Sequence, residues 1–220
     1  MPLNAVLFDM DGVIVDTEPL HRKAFLKTFD DLNINVSDTL YSSFTGASTQ
    51  KVCETLIKEF HLDISPEEIV AMKRKYFKDL FDNDSDFHLI PGVLNLIQHY
   101  YKNNIKLVLA SSAHINTINW VFERFNLESY FIGKISGAAL KESKPNPEIF
   151  ILAAEIAGEP KQNCMVIEDS TNGIIASKRA EIFCAGYRSA NSKLQDYSLA
   201  DVVVDNYSQL TLEELAPYFS

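Results

Sequence analysis

Two aspartates follow the first apolar run of the chain at a spacing that suits acid–base or metal chemistry. Residues 5–8 (AVLF) are apolar throughout, and Asp9 and Asp11 come directly after them, separated by one residue. If the run is a buried parallel strand, both carboxylates lie at the carboxyl edge of the sheet, where open α/β sheets build their sites. A calcium-binding loop is excluded, because Val13 and Leu20 occupy positions that would need oxygen ligands.

A second acidic pair, Glu168 and Asp169, follows the apolar run 165–167. The ends of neighbouring parallel strands lie side by side, so these carboxylates and the first pair would meet at one edge of the sheet. Carboxylates that converge in a medium of low dielectric repel one another, and a hard cation such as Mg²⁺ would offset that repulsion. The alternative is an ordinary helix cap formed by Asp169 or Ser170.

Two further polar segments stand at similar junctions. Ser111 and Ser112 follow the apolar run 105–110, and Lys144 precedes the rigid sequence 145–147 (PNP). Hydroxyl and backbone donors, together with a fixed ammonium group, could bind the oxygens of a phosphate. Taken one at a time, the serines are typical of a turn and Lys144 of a solvated loop. The functional interpretation therefore depends on the four segments occurring together.

The chain around these segments alternates short apolar runs with longer stretches of helical period, a pattern typical of a parallel sheet covered by helices. Beyond the first run, strands are predicted at 105–110, 165–167, 182–185 and 202–204. Helices are predicted at 93–102, 116–125, 147–157 and 172–180, with Pro147 in a first helical turn. Residues 19–87 lack strand-like runs, which predicts an inserted helical module.

Two local signals organise that helical module. Ser65, Pro66 and Glu68 have the spacing of a helix start, in which Ser65 is the cap and Glu68 completes a capping box. The acidic run 82–86 (DNDSD) predicts a polar hinge that leads back to the sheet.

Composition limits the classes of function. The 220 residues are 46% hydrophobic and 23% charged, as in folded globular proteins, and 20 basic against 30 acidic residues give a net charge of −10. That charge repels nucleic acids and anionic membrane surfaces, so neither is an expected partner. Three cysteines at unrelated spacings indicate neither a disulfide framework nor a zinc site. The sequence shows no signal peptide or membrane span, so a cytoplasmic location is expected. The expected oligomeric state is a monomer.

In their order along the chain, the four polar segments resemble the motifs of the haloacid dehalogenase superfamily of aspartate-nucleophile phosphotransferases. Residues 9–13 (DMDGV) match its first motif, Ser111 its second, Lys144 its third and residues 168–169 its fourth. The resemblance covers essentially the whole chain, and the combination of motifs is far more specific than any one of them.

The resemblance implies an α/β fold. Residues 1–15 and 88–220 would form a Rossmann-like parallel sheet core, and residues 16–87 an inserted all-helical cap domain. Residues 16–21 (DTEPLH) and 141–150 (KESKPNPEIF) are most similar to β-phosphoglucomutase and related sugar-phosphate phosphatases.

The resemblance also implies roles for the polar residues. Asp9 would attack phosphorus to form an aspartyl-phosphate, and Asp11 would act as general acid and base. Mg²⁺ would be the cofactor, held by Asp9, the backbone carbonyl of Asp11 and Asp169, with Glu168 binding through water or supporting these ligands. Ser111 and Lys144 would take the remaining phosphate oxygens. The residues implied to face the substrate are Gly12, Thr17, Glu18, His21, Thr49 and Ser112.

One departure from the subgroup's pattern bears on the substrate. β-Phosphoglucomutase has a cap arginine that grips a second phosphate, whereas this chain has Thr49 there, in the segment 46–49 (GAST). A hydroxyl cannot replace a bidentate guanidinium. Four basic residues stand near the cap lysine of that subgroup and could supply a substitute cation, namely Lys73, Arg74, Lys75 and Lys78. The alternative for all four is a solvated helix face.

Two other positions carry a structural expectation. Glu181 stands where the fourth motif's helix normally runs into glycine, which predicts a strained terminating turn. His21 could be a hinge residue of the site, and its alternative is a polar surface residue at the start of a helix.

Together these features predict an Mg²⁺-dependent phosphatase that acts on a small phosphorylated metabolite, with a sugar phosphate as the expected substrate. β-Phosphoglucomutase is the alternative, and the missing cap arginine favours water over a sugar as the phosphoryl acceptor. A non-catalytic module that binds a phosphorylated metabolite is disfavoured, because the chain has all five residues that the chemistry needs, namely Asp9, Asp11, Ser111, Lys144 and Asp169.

Overall fold

A computed structural model describes residues 1–44, 49–189 and 194–219 of the chain. The chain divides into two compact units, one formed by residues 1–16 and 88–220 and the other by residues 17–87. The assignment of these units as a catalytic core and its cap stays a prediction. Within the segment 46–49, residues 46–48 lie outside the described residues, and Thr49 is described.

The larger unit is built on a parallel sheet of six strands among the described residues, in the order β3-β2-β1-β4-β5-β6. The strands are β1 (Ala5–Phe8), β2 (Lys106–Ser111), β3 (Gly133–Ser136), β4 (Cys164–Glu168), β5 (Phe183–Tyr187) and β6 (Val202–Val204). Every residue of β1 and β4 is buried, as expected for central strands that helices cover on both faces. The predicted α/β fold with a Rossmann-like parallel sheet is confirmed.

Nine α-helices are present in the described part of the chain. The smaller unit contains α1 (Glu18–Asp31), α2 (Asp38–Ser42), α3 (Thr49–Phe60) and α4 (Pro66–Asn83). The larger unit contains α5 (Val93–Lys102), α6 (Ile115–Arg124), α7 (Glu148–Ala157), α8 (Thr171–Arg179) and α9 (Leu212–Leu215). None of the helices found in these ranges is long and apolar enough to cross a membrane.

The register of the sheet brings the polar segments to one edge. Phe8 at the end of β1 pairs with Leu109 in β2 and with Ile167 in β4. The residues that follow these three are therefore level with one another at the carboxyl edge, and they include Asp9 and Glu168. Helix α7 packs against β1, β2 and β3, and the apolar core beneath it holds this edge in place.

The smaller unit is helical, as its apolar spacing predicts, and contains no strand between residues 17 and 44 or between 49 and 87. Helix α1 packs on α4, and an apolar cluster joins Phe25 and Phe29 of α1 to Val52 and Leu56 of α3. The predicted capping box is confirmed: Ser65 caps α4, with its side chain accepting from the Glu68 amide and the Glu68 carboxylate accepting from the Ser65 amide.

Several elements differ from the sequence interpretation. Strand β3 was not predicted, because it is a four-residue edge strand in which Gly133 and Lys134 interrupt the apolar pattern. Helix α4 continues to Asn83, so the first part of the predicted hinge at 82–86 is helical. Pro147 is the cap of α7 and lies just before its first turn.

The strained turn expected at Glu181 is confirmed. Glu181 has a φ of 61°, in the left-handed region that favours glycine, just after α8 ends. Its exposed carboxylate accepts a hydrogen bond from Lys161 at 2.9 Å.

Candidate active site

A buried lysine joins the two acidic motifs at the carboxyl edge of the sheet. Lys144 Nζ donates to Asp9 Oδ1 at 2.5 Å, to Glu168 Oε1 at 2.8 Å and to the carbonyl oxygen of Ala110 at 3.0 Å. Its side chain is only 6% exposed. An ammonium group has three donors, and all three are used here. The alternative interpretation of Lys144, a residue in a solvated loop, is therefore wrong.

Glu168 is held on both of its oxygens. Besides the bond from Lys144, Glu168 Oε2 accepts from the amide of Ser170 at 2.8 Å and from the Ser170 hydroxyl at 2.9 Å. Ser170 in turn caps α8, with its hydroxyl oxygen accepting from the Gly173 amide at 3.0 Å. The helix-cap interpretation of this segment is therefore confirmed for Ser170, and the cap also orients the Glu168 carboxylate.

The loop after β1 packs directly against Asp169. Gly12 has a φ of 82°, and a methyl group added to it would lie 1.9 Å from Asp169 Oδ2. No side chain fits there, so glycine is required both by the backbone conformation and by the neighbouring carboxylate. Asp9, Asp11 and Glu168 are all close enough to repel the Asp169 carboxylate.

Burial and mutual repulsion perturb the carboxylates. Burial, aided by Glu168 and Asp11, raises the pKa of Asp9 to about 7 even though Lys144 opposes that shift. Burial and the neighbouring acids also raise the pKa of Asp169 to about 8. Burial acts to lower the pKa of Lys144, but Asp9 and Glu168 outweigh it, so the pKa is raised and the ammonium stays charged.

These groups suit a hard divalent cation in charge and donor type. The carboxyl groups of Asp9, Asp11, Glu168 and Asp169 offer only oxygen atoms as ligands, the type that such a cation prefers, and when all four are ionised their charge exceeds that of the single ammonium among them, Lys144. In the described ranges, no three acidic, histidine or cysteine side chains converge on one point in the manner of a metal site. Asp9 and Glu168 converge on Lys144 Nζ, which balances their charges without a metal.

We expect the metal-free protein to lose stability as the pH rises. Asp9 and Asp169 have higher pKa values in the folded protein than the value of about 3.9 for an aspartate in the unfolded chain. Their contribution to the free energy of unfolding is therefore complete below a pH of about 3.9, and it is lost as the pH rises through about 7 to 8. The free energy of unfolding from urea titrations in chelator should fall by at least about 1 kcal/mol between pH 5.5 and 8.5. Asp169→Asn should flatten this slope, whereas Asp82→Asn, in an exposed ion pair, should keep it.

The two serines of the second motif occupy different environments. Ser111 is the last residue of β2 and is 1% exposed, and its hydroxyl oxygen accepts from the Ala113 amide at 3.1 Å. Ser112 is exposed. The turn that is typical of such a pair is present. It leaves Ser111 at the end of β2, next to β1, whose end is followed by Asp9.

The smaller unit contains the other residues implied to face the substrate. Thr17 is buried at the start of α1, Glu18 is the first residue of that helix and is exposed, and Thr49 is the first residue of α3. Their part in a site stays a prediction.

His21 and the buried Lys73 form a hydrogen-bonded pair in the smaller unit. Lys73 is 3% exposed, and its Nζ lies 2.6 Å from Nδ1 of His21, whose ring stacks on Phe77 at 4.5 Å. Burial and the adjacent ammonium lower the pKa of His21 to about 3, so the ring is neutral and Nδ1 accepts the hydrogen bond. The solvated helix face is therefore wrong for Lys73, whereas His21 is partly exposed and its ring is in contact with Lys73 and Phe77. Lys75 is exposed, as that alternative predicts.

Three tyrosines that the sequence did not single out lie near the loops that follow β1 and β4, here called the acidic loops. Tyr207 donates to the carbonyl oxygen of Val13, Tyr197 donates to the carbonyl oxygen of Asp169 at 2.8 Å, and Tyr187 stacks on Tyr207. All three lie in the C-terminal part of the chain, where no motif or periodicity singles them out.

A parallel sheet with carboxylates and one buried lysine at the carboxyl ends of its central strands defines an α/β protein with an acidic candidate site, at the edge where such sheets bind their ligands. Residues 6–187 match the family model described as haloacid dehalogenase-like hydrolase. That match spans most of the 220 residues, so the chain belongs to the haloacid dehalogenase-like hydrolase family.

Individual relatives agree with the family. β-Phosphoglucomutase of Bacillus subtilis is 28% identical over 218 residues, which cover 97% of this chain and 94% of that protein. A phosphorylated carbohydrates phosphatase of Thermotoga maritima is 29% identical and covers 82% of each chain. The crystal structure of CbbY from Rhodobacter sphaeroides with xylulose-(1,5)bisphosphate matches with a TM-score of 0.84 and 25% identity, covering 97% of this chain and 99% of that one. The prediction of an enzyme of the phosphatase and phosphoglucomutase group of this superfamily is confirmed.

Proposed function

We propose that the protein hydrolyses a small phosphorylated metabolite, with Asp9 as the nucleophile that receives the phosphoryl group. The observation that carries this proposal is the position of Asp9. It follows β1 at the carboxyl edge, its Oδ1 is fixed by the buried Lys144 at 2.5 Å, and its other oxygen is not tied to that lysine. A nucleophile held in one orientation beside a fixed cation is what phosphoryl transfer needs, since catalysis there is mostly positioning and charge neutralisation.

The first step would transfer the phosphoryl group to the protein. Asp9 attacks phosphorus, the phosphorus–oxygen bond to the metabolite breaks, and protonated Asp11 gives its proton to the leaving oxygen. The products are the dephosphorylated metabolite and an aspartyl-phosphate on Asp9. Ser111 and Lys144 would hold phosphate oxygens during this transfer, and Lys144 would exchange one of its three present bonds for that contact.

The second step would release phosphate. Asp11, now ionised, removes a proton from water as that water attacks phosphorus, and the bond to Asp9 breaks to regenerate the carboxylate. In this proposal Asp9, the backbone carbonyl of Asp11 and Asp169 would hold Mg²⁺, with Glu168 assisting, and the ion would supply positive charge that neutralises the phosphate. The excess of buried carboxylates over ammonium groups supports that cofactor.

A sugar phosphate is the proposed substrate class. Support comes from the relatives, one of which is named as a phosphatase of phosphorylated carbohydrates and another as hexitol phosphatase B. Three cysteines that form no disulfide, together with the acidic composition, support a cytoplasmic location.

β-Phosphoglucomutase activity is the second candidate, favoured by the relative of that name that matches nearly the full chain. In that reaction a sugar bisphosphate stays bound while the aspartyl-phosphate exchanges with it, and its second phosphate needs a cation. Thr49 offers only a neutral hydroxyl at the position of the mutase's arginine. Lys73 is charged but buried against His21 within the smaller unit, and its ammonium lies over the rings of Phe25 and Phe77. These features support water as the acceptor.

We therefore expect hydrolysis to outrun isomerisation. With β-glucose 1-phosphate and a glucose 1,6-bisphosphate primer, free phosphate should form faster than glucose 6-phosphate. Thr49→Arg should shift the ratio toward isomerisation, by about tenfold if the new guanidinium adds one charge-assisted contact. Gln50→Arg adds the same charge at the next, exposed residue of α3 and should leave the ratio unchanged. If the unaltered protein isomerises the substrate much faster than it releases phosphate, β-phosphoglucomutase activity becomes the better account of its function.

The wider test is a phosphate-release screen over phosphorylated metabolites, with Mg²⁺ and with chelator. The proposal expects release from at least one sugar phosphate, and only with the metal. Release that is equal in chelator would contradict the proposed cofactor, and no release from any ester would leave the non-catalytic binding module as the better account.

A further inference from the structure

The loop that follows β1 is anchored by a buried tyrosine from the C-terminal part of the chain. Tyr207 is 2% exposed, and its hydroxyl donates a hydrogen bond to the carbonyl oxygen of Val13. Val13 follows Asp11 and Gly12, in a tight turn whose amides at Ile14 and Val15 donate to the carbonyl oxygen of Met10 at 2.7 and 3.1 Å. The contact therefore fixes the backbone of the turn that carries Asp11.

The loop that follows β4 is anchored by a second tyrosine. The Tyr197 hydroxyl lies 2.8 Å from the carbonyl oxygen of Asp169 and 3.2 Å from that of Tyr187. The segment around Tyr197 makes two further bonds to this loop. Thr171 donates its amide to Gln195 Oε1 at 2.8 Å, and its hydroxyl oxygen accepts from the Asp196 amide at 2.7 Å.

A third tyrosine links these two anchors. Tyr187 is the last residue of β5 and is 7% exposed, and its ring stacks on that of Tyr207 with centroids 4.3 Å apart and planes 7° apart. Its carbonyl oxygen lies within reach of the Tyr197 hydroxyl. Tyr187, Tyr197 and Tyr207, here called the tyrosine brace, thus connect both acidic loops to one rigid strand.

The sheet cannot fix these loops alone. The last paired residues of β1 and β4 are Phe8 and Ile167. Asp11 and Asp169 therefore lie beyond the backbone hydrogen bonds that join these two strands. The two loops must still meet closely, because Asp169 occupies the space that a side chain at position 12 would fill. A site of this kind needs its reacting groups held within about 0.5 Å, which calls for side chains that lock the loops from outside.

We propose that the tyrosine brace is a set of positioning residues, which holds the Asp11 loop and the Asp169 loop at the spacing that phosphoryl transfer requires. The inference rests on the proposed function, in which both aspartates act on one phosphoryl group. The hydrogen bonds described above for the two hydroxyls go to backbone carbonyl oxygens. The brace acts through backbone carbonyls and contributes no proton to the reaction.

The test compares tyrosine-to-phenylalanine variants at matched positions. Tyr207→Phe and Tyr197→Phe each remove one hydroxyl that holds an acidic loop. Tyr100→Phe is the control, since the Tyr100 hydroxyl is also buried and donates to a backbone carbonyl, that of Leu210, at 2.5 Å. Leu210 ends the short helix that begins at Tyr207, so this variant loosens the same segment without removing a hydroxyl that bonds to either loop. Turnover of 4-nitrophenyl phosphate, unfolding in urea and amide hydrogen exchange are measured for all three variants and for the unaltered protein.

For Tyr207→Phe we expect kcat to fall about tenfold or more, with KM changed less than about threefold, because displaced reacting groups cost rate more than they cost binding. Amide exchange at residues 13–15 should quicken in this variant. Tyr100→Phe should lose similar stability but keep its kcat and its exchange at residues 13–15. Tyr197→Phe should lower kcat in the same way, and it gives an independent test if Tyr207→Phe does not fold.

Failure of the brace and failure of the proposed function give different results. If the unaltered protein is active and both brace variants keep the kcat of Tyr100→Phe, the brace is overturned while the function stands. If the unaltered protein hydrolyses no phosphate ester, the proposed function fails. In that case exchange at residues 13–15 still decides whether Tyr207 holds its loop, and exchange equal to that of Tyr100→Phe overturns the brace.

Discussion

Asp9→Asn is expected to lower turnover by at least about 10⁴-fold and to leave the protein folded. An amide cannot attack phosphorus to form the acyl-phosphate, so the proposed route is lost at its first step. The side chain keeps its volume, and the fold should survive because the ion pair lost to Lys144 is offset in part by relief of the repulsion from Glu168 and Asp11.

The measurement is phosphate release in Mg²⁺ by a preparation free of the unaltered protein, with urea unfolding to establish that the variant is folded. Asp82→Asn, which removes a carboxylate from an exposed ion pair with Lys78, should retain full activity. Appreciable turnover by folded Asp9→Asn would rule out a covalent intermediate on this residue.

Lys144→Met is expected to reduce both stability and activity. It removes the one ammonium that lies between two buried carboxylates, at 2.5 Å from Asp9 and 2.8 Å from Glu168. Removing one partner of a buried ion pair leaves uncompensated charge and costs about 3–5 kcal/mol. The free energy of unfolding from urea titrations in chelator should fall by that amount at pH 8.5, where the carboxylates are most fully ionised.

Lys106→Met is the matched control. Lys106 also pairs with a carboxylate, Glu159 at 2.7 Å, and also donates to a backbone carbonyl, that of Ala157 at 2.8 Å. Its side chain is 42% exposed, so water screens the pair and its loss should cost only about 0–1 kcal/mol. Equal losses for the two variants would contradict the view that Lys144 compensates buried charge.

Mg²⁺ provides a second test of Lys144. Because a divalent cation and the ammonium would neutralise the same carboxylates, adding Mg²⁺ should stabilise Lys144→Met more than it stabilises the unaltered protein. Activity should stay low in either case, because Lys144 is also proposed to hold the phosphate. Stabilisation by Mg²⁺ that is the same in both proteins would indicate that cation and lysine act on separate groups.

The sequence by itself determined the central architecture and the residues of the acidic edge. The apolar runs that became β1, β2 and β4 are almost wholly buried, and short continuous apolar runs that alternate with helical segments are typical of a parallel sheet. The capping box at Ser65 was equally predictable, because it depends on residues three apart in the chain. Local hydrogen bonds and continuous burial are properties that a short stretch of sequence specifies without help from distant residues.

Only the tertiary structure decided which polar groups are buried and which atoms they bind. Lys73 and Lys75 are two residues apart in the same helix, yet Lys73 is buried against His21 and Lys75 is exposed. Lys144 meets Glu168 and Asp9 from 24 and 135 residues away, and Tyr207 meets Val13 from 194 residues away. No local pattern encodes such contacts, because they exist only after the strands have paired and brought distant loops to one edge of the sheet.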